Sequence, residues 1–254
     1  LMGSLLAPKQ AFAAPHADVE ADSATLDVPN TVTFSATLTS SAEIVSVTLE
    51  YGNEQLTCGE VTAKAFPDFS PDTQVDVAWL WDMRQSGSLP PGTTIWWRWR
   101  YTDATGKEFV SERQTVTWLD DLHDWQTVTA DNVLIHYYGK SESFAQTMLD
   151  AGLEGLRRNK EQAGMLPDIP VQIYVYPSYD EMRDAILYEP QWTGGLAYSD
   201  SSIIIMGTSG DEEFDKATVI HEVTHILVGR NAFTCIGFIP TWLNEGLAVY
   251  NEGP

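Results

Sequence analysis

The run His221-Glu222-Val223-Thr224-His225 constrains this chain more than any other feature, because an H-E-x-x-H on a helix sets two imidazoles one turn apart on the same face. Two such rings converge on one ion, and Glu222 stands beside it without ligating it. A third ligand follows in Pro240-Thr241-Trp242-Leu243-Asn244-Glu245-Gly246-Leu247-Ala248, a proline-initiated short helix with Glu245 in its first turns and nineteen residues between it and His225. Three protein ligands leave the fourth position of a tetrahedral zinc open, which separates a catalytic site from a closed structural one. The His2Glu set suits one zinc ion. The chemistry expected is hydrolysis by a metal-activated water, with Glu222 taking its proton and passing it to the leaving amine. Ser209 and Glu212 read as a capping box for the metal helix, with Gly229 as its C-terminal cap.

The rest of the chain reads as two halves. From residue 18 to 118 the pattern is β throughout: Val75, Val77, Trp79 and Trp81 recur with period two, as do Ile95, Trp97, Trp99 and Tyr101, with Arg98 and Arg100 facing outward. Residues 32–38 and 44–51 supply earlier strands. Leu89-Pro90-Pro91-Gly92 and Asp103-Ala104-Thr105-Gly106 read as turns, and about seven strands suggest an immunoglobulin-like sandwich. Alternation sends most tryptophans inward, leaving Trp96 as the one candidate for an exposed ring.

Residues 118–125 form an acidic hinge, after which the period changes. Strands are expected at 132–138, 171–176, 196–198 and 202–206. Helices are expected at 142–163 and, capped by Ser178, through Leu187. The fold class is therefore multidomain, an all-β sandwich followed by an α+β domain.

Fourteen basic against 36 acidic residues give a net charge of −22, which repels phosphate backbones and anionic lipid, so nucleic acid is not an expected partner. Residues 1–14, LMGSLLAPKQAFAA, read as the tail of a signal peptide or membrane anchor, with a disordered leader as the alternative, so residues 1–17 are set apart from the fold. No later stretch reaches the roughly 18 apolar residues of a membrane span. An extracytoplasmic location is expected. For Cys58 and Cys235 free thiols are expected, an interdomain disulfide being the alternative.

H-E-V-T-H followed by P-T-W-L-N-E-G-L-A resembles the gluzincin metallopeptidases, and more narrowly the bacterial peptidase MA-like metallohydrolases in which an immunoglobulin-like domain precedes the catalytic one. The resemblance covers most of residues 18–254. It implies an immunoglobulin-like domain at 18–118 and a zincin-like catalytic domain at 119–254, with His221, His225 and Glu245 as zinc ligands, Glu222 as general base, and a peptide or protein as substrate. It also implies that Gly194, Gly195, Leu196, Ala197 and Tyr198, after Trp192 and Thr193, are the edge strand that pairs with an extended peptide; a plain hairpin is the alternative.

The Gly-Ala-Met-Glu-Asn motif of aminopeptidase-N-like relatives is absent, which favours an endopeptidase over an aminopeptidase. The chain stops at Pro254, nine residues past Glu245 and short of the usual oxyanion-stabilising Tyr or His, as expected of a truncated catalytic domain. Tyr198 and Tyr250 are oxyanion candidates for which core packing is the commoner role. His123 and His136 read as solvated or structural. The rival from another class is a non-catalytic envelope or adhesion protein whose metal site only stiffens the second domain.

Overall fold

The computed structural model describes residues 18–59, 61–188 and 194–253. The leader expected at 1–17 and Trp192 and Thr193 lie outside the described residues.

Up to Trp118 the chain is β1 (Asp18–Asp27), β2 (Thr31–Thr39), β3 (Ile44–Asn53), β4 (Ala63–Ala65), β5 (Gln74–Asp82), a four-residue helix α1 (Met83–Ser86), β6 (Thr93–Asp103), β7 (Glu108–Val110) and β8 (Gln114–Trp118). They form two antiparallel sheets, β1-β2-β5 and β4-β3-β6-β7, with β8 also on β6. Period-two side chains close one core between the sheets. Val32, Phe34, Ala36 and Leu38 of β2 and Val75 and Val77 of β5 meet Ile95, Trp97, Trp99 and Tyr101 of β6. Trp99 is fully buried, and such a side chain contributes about 3–5 kcal/mol when judged by truncation to alanine.

A bulge in β1 between Glu20 and Ser23 turns Asp22 toward this core. Its Oδ1 accepts both indole N–H groups, from Trp97 at 2.7 Å and Trp99 at 3.0 Å. Two departures from the sequence reading concern β6. Trp96 is not an exposed ring: it is 4 % exposed, with the Arg113 guanidinium 3.9 Å above it and Gly52 beneath, where a Cβ would meet the ring at 3.0 Å. Arg98 and Arg100 do not simply face water, because both pair with the buried Glu50.

The acidic connection is pinned by aromatic contacts. Trp125 sets its edge against Tyr138, Tyr174 and Tyr176, and His123 stacks on Tyr138 at 4.0 Å while holding Asp120 at 2.6 Å.

Next come β9 (Gln126–Ala130), β10 (Val133–Tyr137), α2 (Glu142–Ala163), β11 (Val171–Tyr176), α3 (Tyr179–Asp184), β12 (Gly195–Tyr198), β13 (Ile203–Gly207), α4 (Glu212–Asn231) and α5 (Thr241–Glu252). The sheet order is β12-β13-β11-β10-β9; β10, β11 and β13 run parallel, and β12 and β9 are antiparallel edges. β13 is buried along its whole length, as its run Ile203-Ile204-Ile205-Met206 requires of an interior strand.

Helices α2 and α4 cover one face, packing Met148, Leu149, Val219, Val223 and Leu227 over Ile135, Ile173 and Ile204. They approach closely at Gly155, where a Cβ would stand 3.1 Å from Val223 Cγ1. Asn159 Nδ2 donates to Thr224 Oγ1 at 3.0 Å across the same contact. The other face takes Met182 and Ile186 together with Leu119 and Trp125. The sandwich meets it at Gly92, which has no Cβ to collide with Tyr174.

Three local expectations are corrected. The helix capped by Ser178 ends at Asp184 rather than Leu187. Asp211, not Ser209, caps α4, accepting from Glu213 N and Phe214 N, while Ser209 Oγ donates to the buried Asp215 at 2.7 Å. Gly229 does not end α4, which runs on to Asn231; instead it lies against Ser199. A fourth correction bears on the site: Cys58 and Cys235 are not free thiols but a disulfide.

Candidate metal centre

The i, i+4 spacing on α4 projects His221 and His225 toward α5, whose first turns present Glu245. The two histidine Nε2 atoms are 3.0 Å apart, and each lies 3.5 Å from Glu245 Oε2. Among the described residues these three are the one group of histidine, cysteine and carboxylate donors gathered within 4.8 Å. Donors about 2.0–2.1 Å from a tetrahedral zinc stand about 3.4 Å from one another, so this spacing fits such an ion. The histidine environment fits too: burial holds the His225 imidazole below its ordinary pKa, in the neutral form a metal takes.

Glu252, two turns along the same face of α5 from Glu245, holds Nδ1 of His221 and so turns its Nε2 toward the donor cluster. Sequence reasoning missed this residue, although a separation of seven on a helix is a signal for a shared face. Its position is set by α2: Arg158 Nη1 donates to the backbone oxygens of Asn251 at 2.6 Å and Glu252 at 2.7 Å, closing the end of α5, while Arg158 Nε donates to Glu154 at 2.7 Å.

Glu222 is 7 % exposed and outside the three-donor group. Burial pushes its carboxyl up to about 7, the charges of Glu245 and Glu252 add to the rise, and His221 opposes it. Gly195 makes room for it: a Cβ there would stand 3.1 Å from Glu222 Cγ and Oε1.

A cavity of about 670 Å³ opens over these groups, lined by His221, Glu222, His225, Asn244 and Glu245 on one side and by β12 on another. Of the predicted edge strand, Gly195, Leu196 and Ala197 line it; Gly194 and Tyr198 do not. Tyr198 packs with the aromatic core under α3, and Tyr250 is 69 % exposed and also off the cavity wall. Neither His123 nor His136 is near it; His136 stacks on Tyr174 at 4.4 Å. Because Gly207 N donates to Gly194 O, the antiparallel alternation turns the N–H and C=O groups of Gly195 and Ala197 to the open side of β12.

Residues 151–254 match the family model of the Peptidase MA superfamily, a stretch that runs from within α2 to the end of α5 and carries every residue of the centre. That match supports a peptidase-like fold for this part of the chain. No curated protein matches the sequence.

Among solved structures, OgpA from Akkermansia muciniphila is 13 % identical over 44 % of this chain and 31 % of its own, with a TM-score of 0.32. A polysaccharide deacetylase from Bacillus cereus is 12 % identical over 66 % and 53 %, also at 0.32. BhCBM56 is 11 % identical over 40 % of this chain and 98 % of its own, at 0.27. The chain thus spans less than two thirds of the first two, and likenesses this distant carry nothing about activity.

Proposed function

We propose that the chain is a zinc-dependent peptidase acting on internal peptide bonds. The observation that carries this is the convergence of His221, His225 and Glu245 at the floor of an open cavity with a buried fourth group, Glu222, alongside. His221, His225 and Glu245 would hold the ion. Zinc bound there supplies Lewis acidity, polarising a carbonyl and acidifying water. Glu222, buried in the cavity wall beside the three donors, is placed to take a proton from water and give it to a departing amine.

The free groups of Gly195 and Ala197 offer an extended substrate backbone hydrogen bonds without calling on a chain end, which favours internal bonds. In this reading residues 18–118 are an immunoglobulin-like domain and residues 119–254 a gluzincin-type catalytic domain. A disulfide between exposed cysteines persists in oxidising surroundings, which supports an extracytoplasmic location. Among the described residues no helix is long and apolar enough to cross a membrane.

The test is a mixed-sequence peptide library blocked at both termini, digested with zinc and with chelator and mapped by mass spectrometry. Zinc-dependent internal cuts are expected, and Glu222→Gln should keep the metal while losing activity by orders of magnitude. Full activity in that variant would sink the assignment of Glu222. Firm zinc binding with no cleavage of any peptide would make the centre a stiffening element of a binding protein.

A further inference from the structure

Glu245 stands on the loosely held half of α5. The far half is anchored: Ala248 and Asn251 are buried, and Arg158 Nη1 donates to the backbone oxygens of Asn251 and Glu252. The near half is not. From Thr241 to Gly246 no residue is buried, Pro240 gives the helix no side-chain cap, and the Glu245 side chain is itself 52 % exposed. The place of the third donor therefore depends on the chain that leads into α5.

That chain, residues 232–240, holds no helix or strand and is exposed from Ala232 to Phe238. Its hydrogen bonds are short-range, Ala232 N to Val228 O, Phe233 N to Arg230 O and Ile236 N to Thr234 Oγ1. Among the described residues its one long-range bond is covalent, from Cys235 to Cys58.

The Cys58 end is well fixed. It lies in the connection between β3 and β4, where Glu54 N donates to Thr94 O of β6 at 2.9 Å and Leu56 N to Asp200 O at 2.8 Å. Asp200 O also accepts from Arg230 Nη1 at 3.0 Å, at the end of α4. The sandwich and the helix of His221 and His225 thus share one reference point, the turn after β12. The disulfide carries that reference across to the connection, ten residues short of Glu245. A cross-link there removes conformational freedom that a linker of this kind otherwise keeps.

We propose that the Cys58–Cys235 disulfide positions Glu245 against His221 and His225, so that the oxidation state of this cysteine pair sets how firmly the centre holds its metal. This rests on the zinc reading of the donor cluster and not on the peptidase reading. Both cysteines are exposed, so a dithiol reaches them. One of its thiolates attacks a cysteine sulfur, breaking the Cys58–Cys235 bond and forming a mixed disulfide, and its second thiolate then displaces that sulfur. Two electrons and two protons pass to the pair, leaving two cysteine thiols and an oxidised, cyclic reagent. Oxidised glutathione reverses the exchange and leaves as two thiols.

The experiment titrates zinc alone into the full chain against a chromogenic chelator. Three forms are compared: the oxidised parent, the Cys58→Ser/Cys235→Ser variant, and parent that has been reduced, alkylated with iodoacetamide and freed of reagent. Both disulfide-free forms should bind zinc about 10- to 100-fold more weakly than the oxidised parent. Reduced parent left unalkylated should regain full affinity on treatment with oxidised glutathione. Glu245→Ala identifies the route: losing the disulfide as well should cost little more than losing Glu245 alone, and the visible bands of bound cobalt should change alike in either case.

Equal affinity in the oxidised and disulfide-free forms overturns the proposal and leaves the zinc centre standing. Losses that add in full when Glu245→Ala is combined with removal of the disulfide overturn it too, because the bond then acts elsewhere. An oxidised parent that binds no zinc overturns the centre and the proposal together.

Discussion

The Glu252 carboxylate holds Nδ1 of His221, at the far end of the same helix that presents Glu245 to its Nε2. One helix thus touches both nitrogens of one ring and fixes its orientation and tautomer. Glu252→Ala is expected to weaken zinc binding about 10- to 100-fold, read by competition with a chromogenic chelator. Unchanged affinity would show that packing alone orients His221. Arg158→Ala, which releases the end of α5, should move affinity in the same direction by a smaller amount.

Gly229 and Ser199 set how near α4 lies to the turn after β12. A Cβ at 229 would stand 2.3 Å from Ser199 Oγ and 2.4 Å from its Cβ, so rotating the hydroxyl is no escape. Gly229→Ala should cost about 1–3 kcal/mol, and Ser199→Gly in the same chain should recover part of it. Thermal melts of the three variants decide this, and a single variant as stable as the parent would refute the close approach.

Acid stability should depend on Glu50. Burial on its own raises this carboxyl, but the Arg98 hydrogen bond at 2.6 Å, the Arg98 charge and Arg100 outweigh it and hold Glu50 below 4.5. A carboxyl depressed in the folded state contributes fully above its unfolded value and loses that contribution as pH falls through the folded one. Urea midpoints between neutrality and strong acid should therefore fall below about pH 4.5 more steeply in the parent than in Glu50→Gln, which is the weaker protein at pH 7. Parallel curves would assign Glu50 no part.

Asp22 serves two indoles at once, so Asp22→Ala should cost roughly 1–3 kcal/mol by leaving Trp97 and Trp99 N–H groups short of a partner, while Asp22→Asn, which keeps an acceptor, should cost less. Equal losses for both would mean that the carboxylate charge, not the hydrogen bonds, matters.

Much of this was legible because it depends on local spacing. The helix expected at 142–163 follows from the period of Phe144, Met148 and Leu149, and the structure adds Ser141 and Gly164 as its caps. The donor cluster follows from helical geometry once His221, His225 and Glu245 are seen. What was missed depends on long-range contact. Trp96 alternates outward, but a neighbouring strand's Gly52 and a later Arg113 cover it. Gly229 looks like a cap because glycine usually ends helices; the opposing Ser199 is invisible in the local pattern. The two cysteines are 177 residues apart, and nothing short-range says that the chain brings them together.

That bond also closes a covalent ring around most of the protein. A single nick anywhere between Cys58 and Cys235, for instance at the exposed Asp168 and Ile169, leaves both fragments attached, and only a reducing gel reveals the break. Proteolytic damage of this kind would cost this molecule a peptide bond without costing it a half.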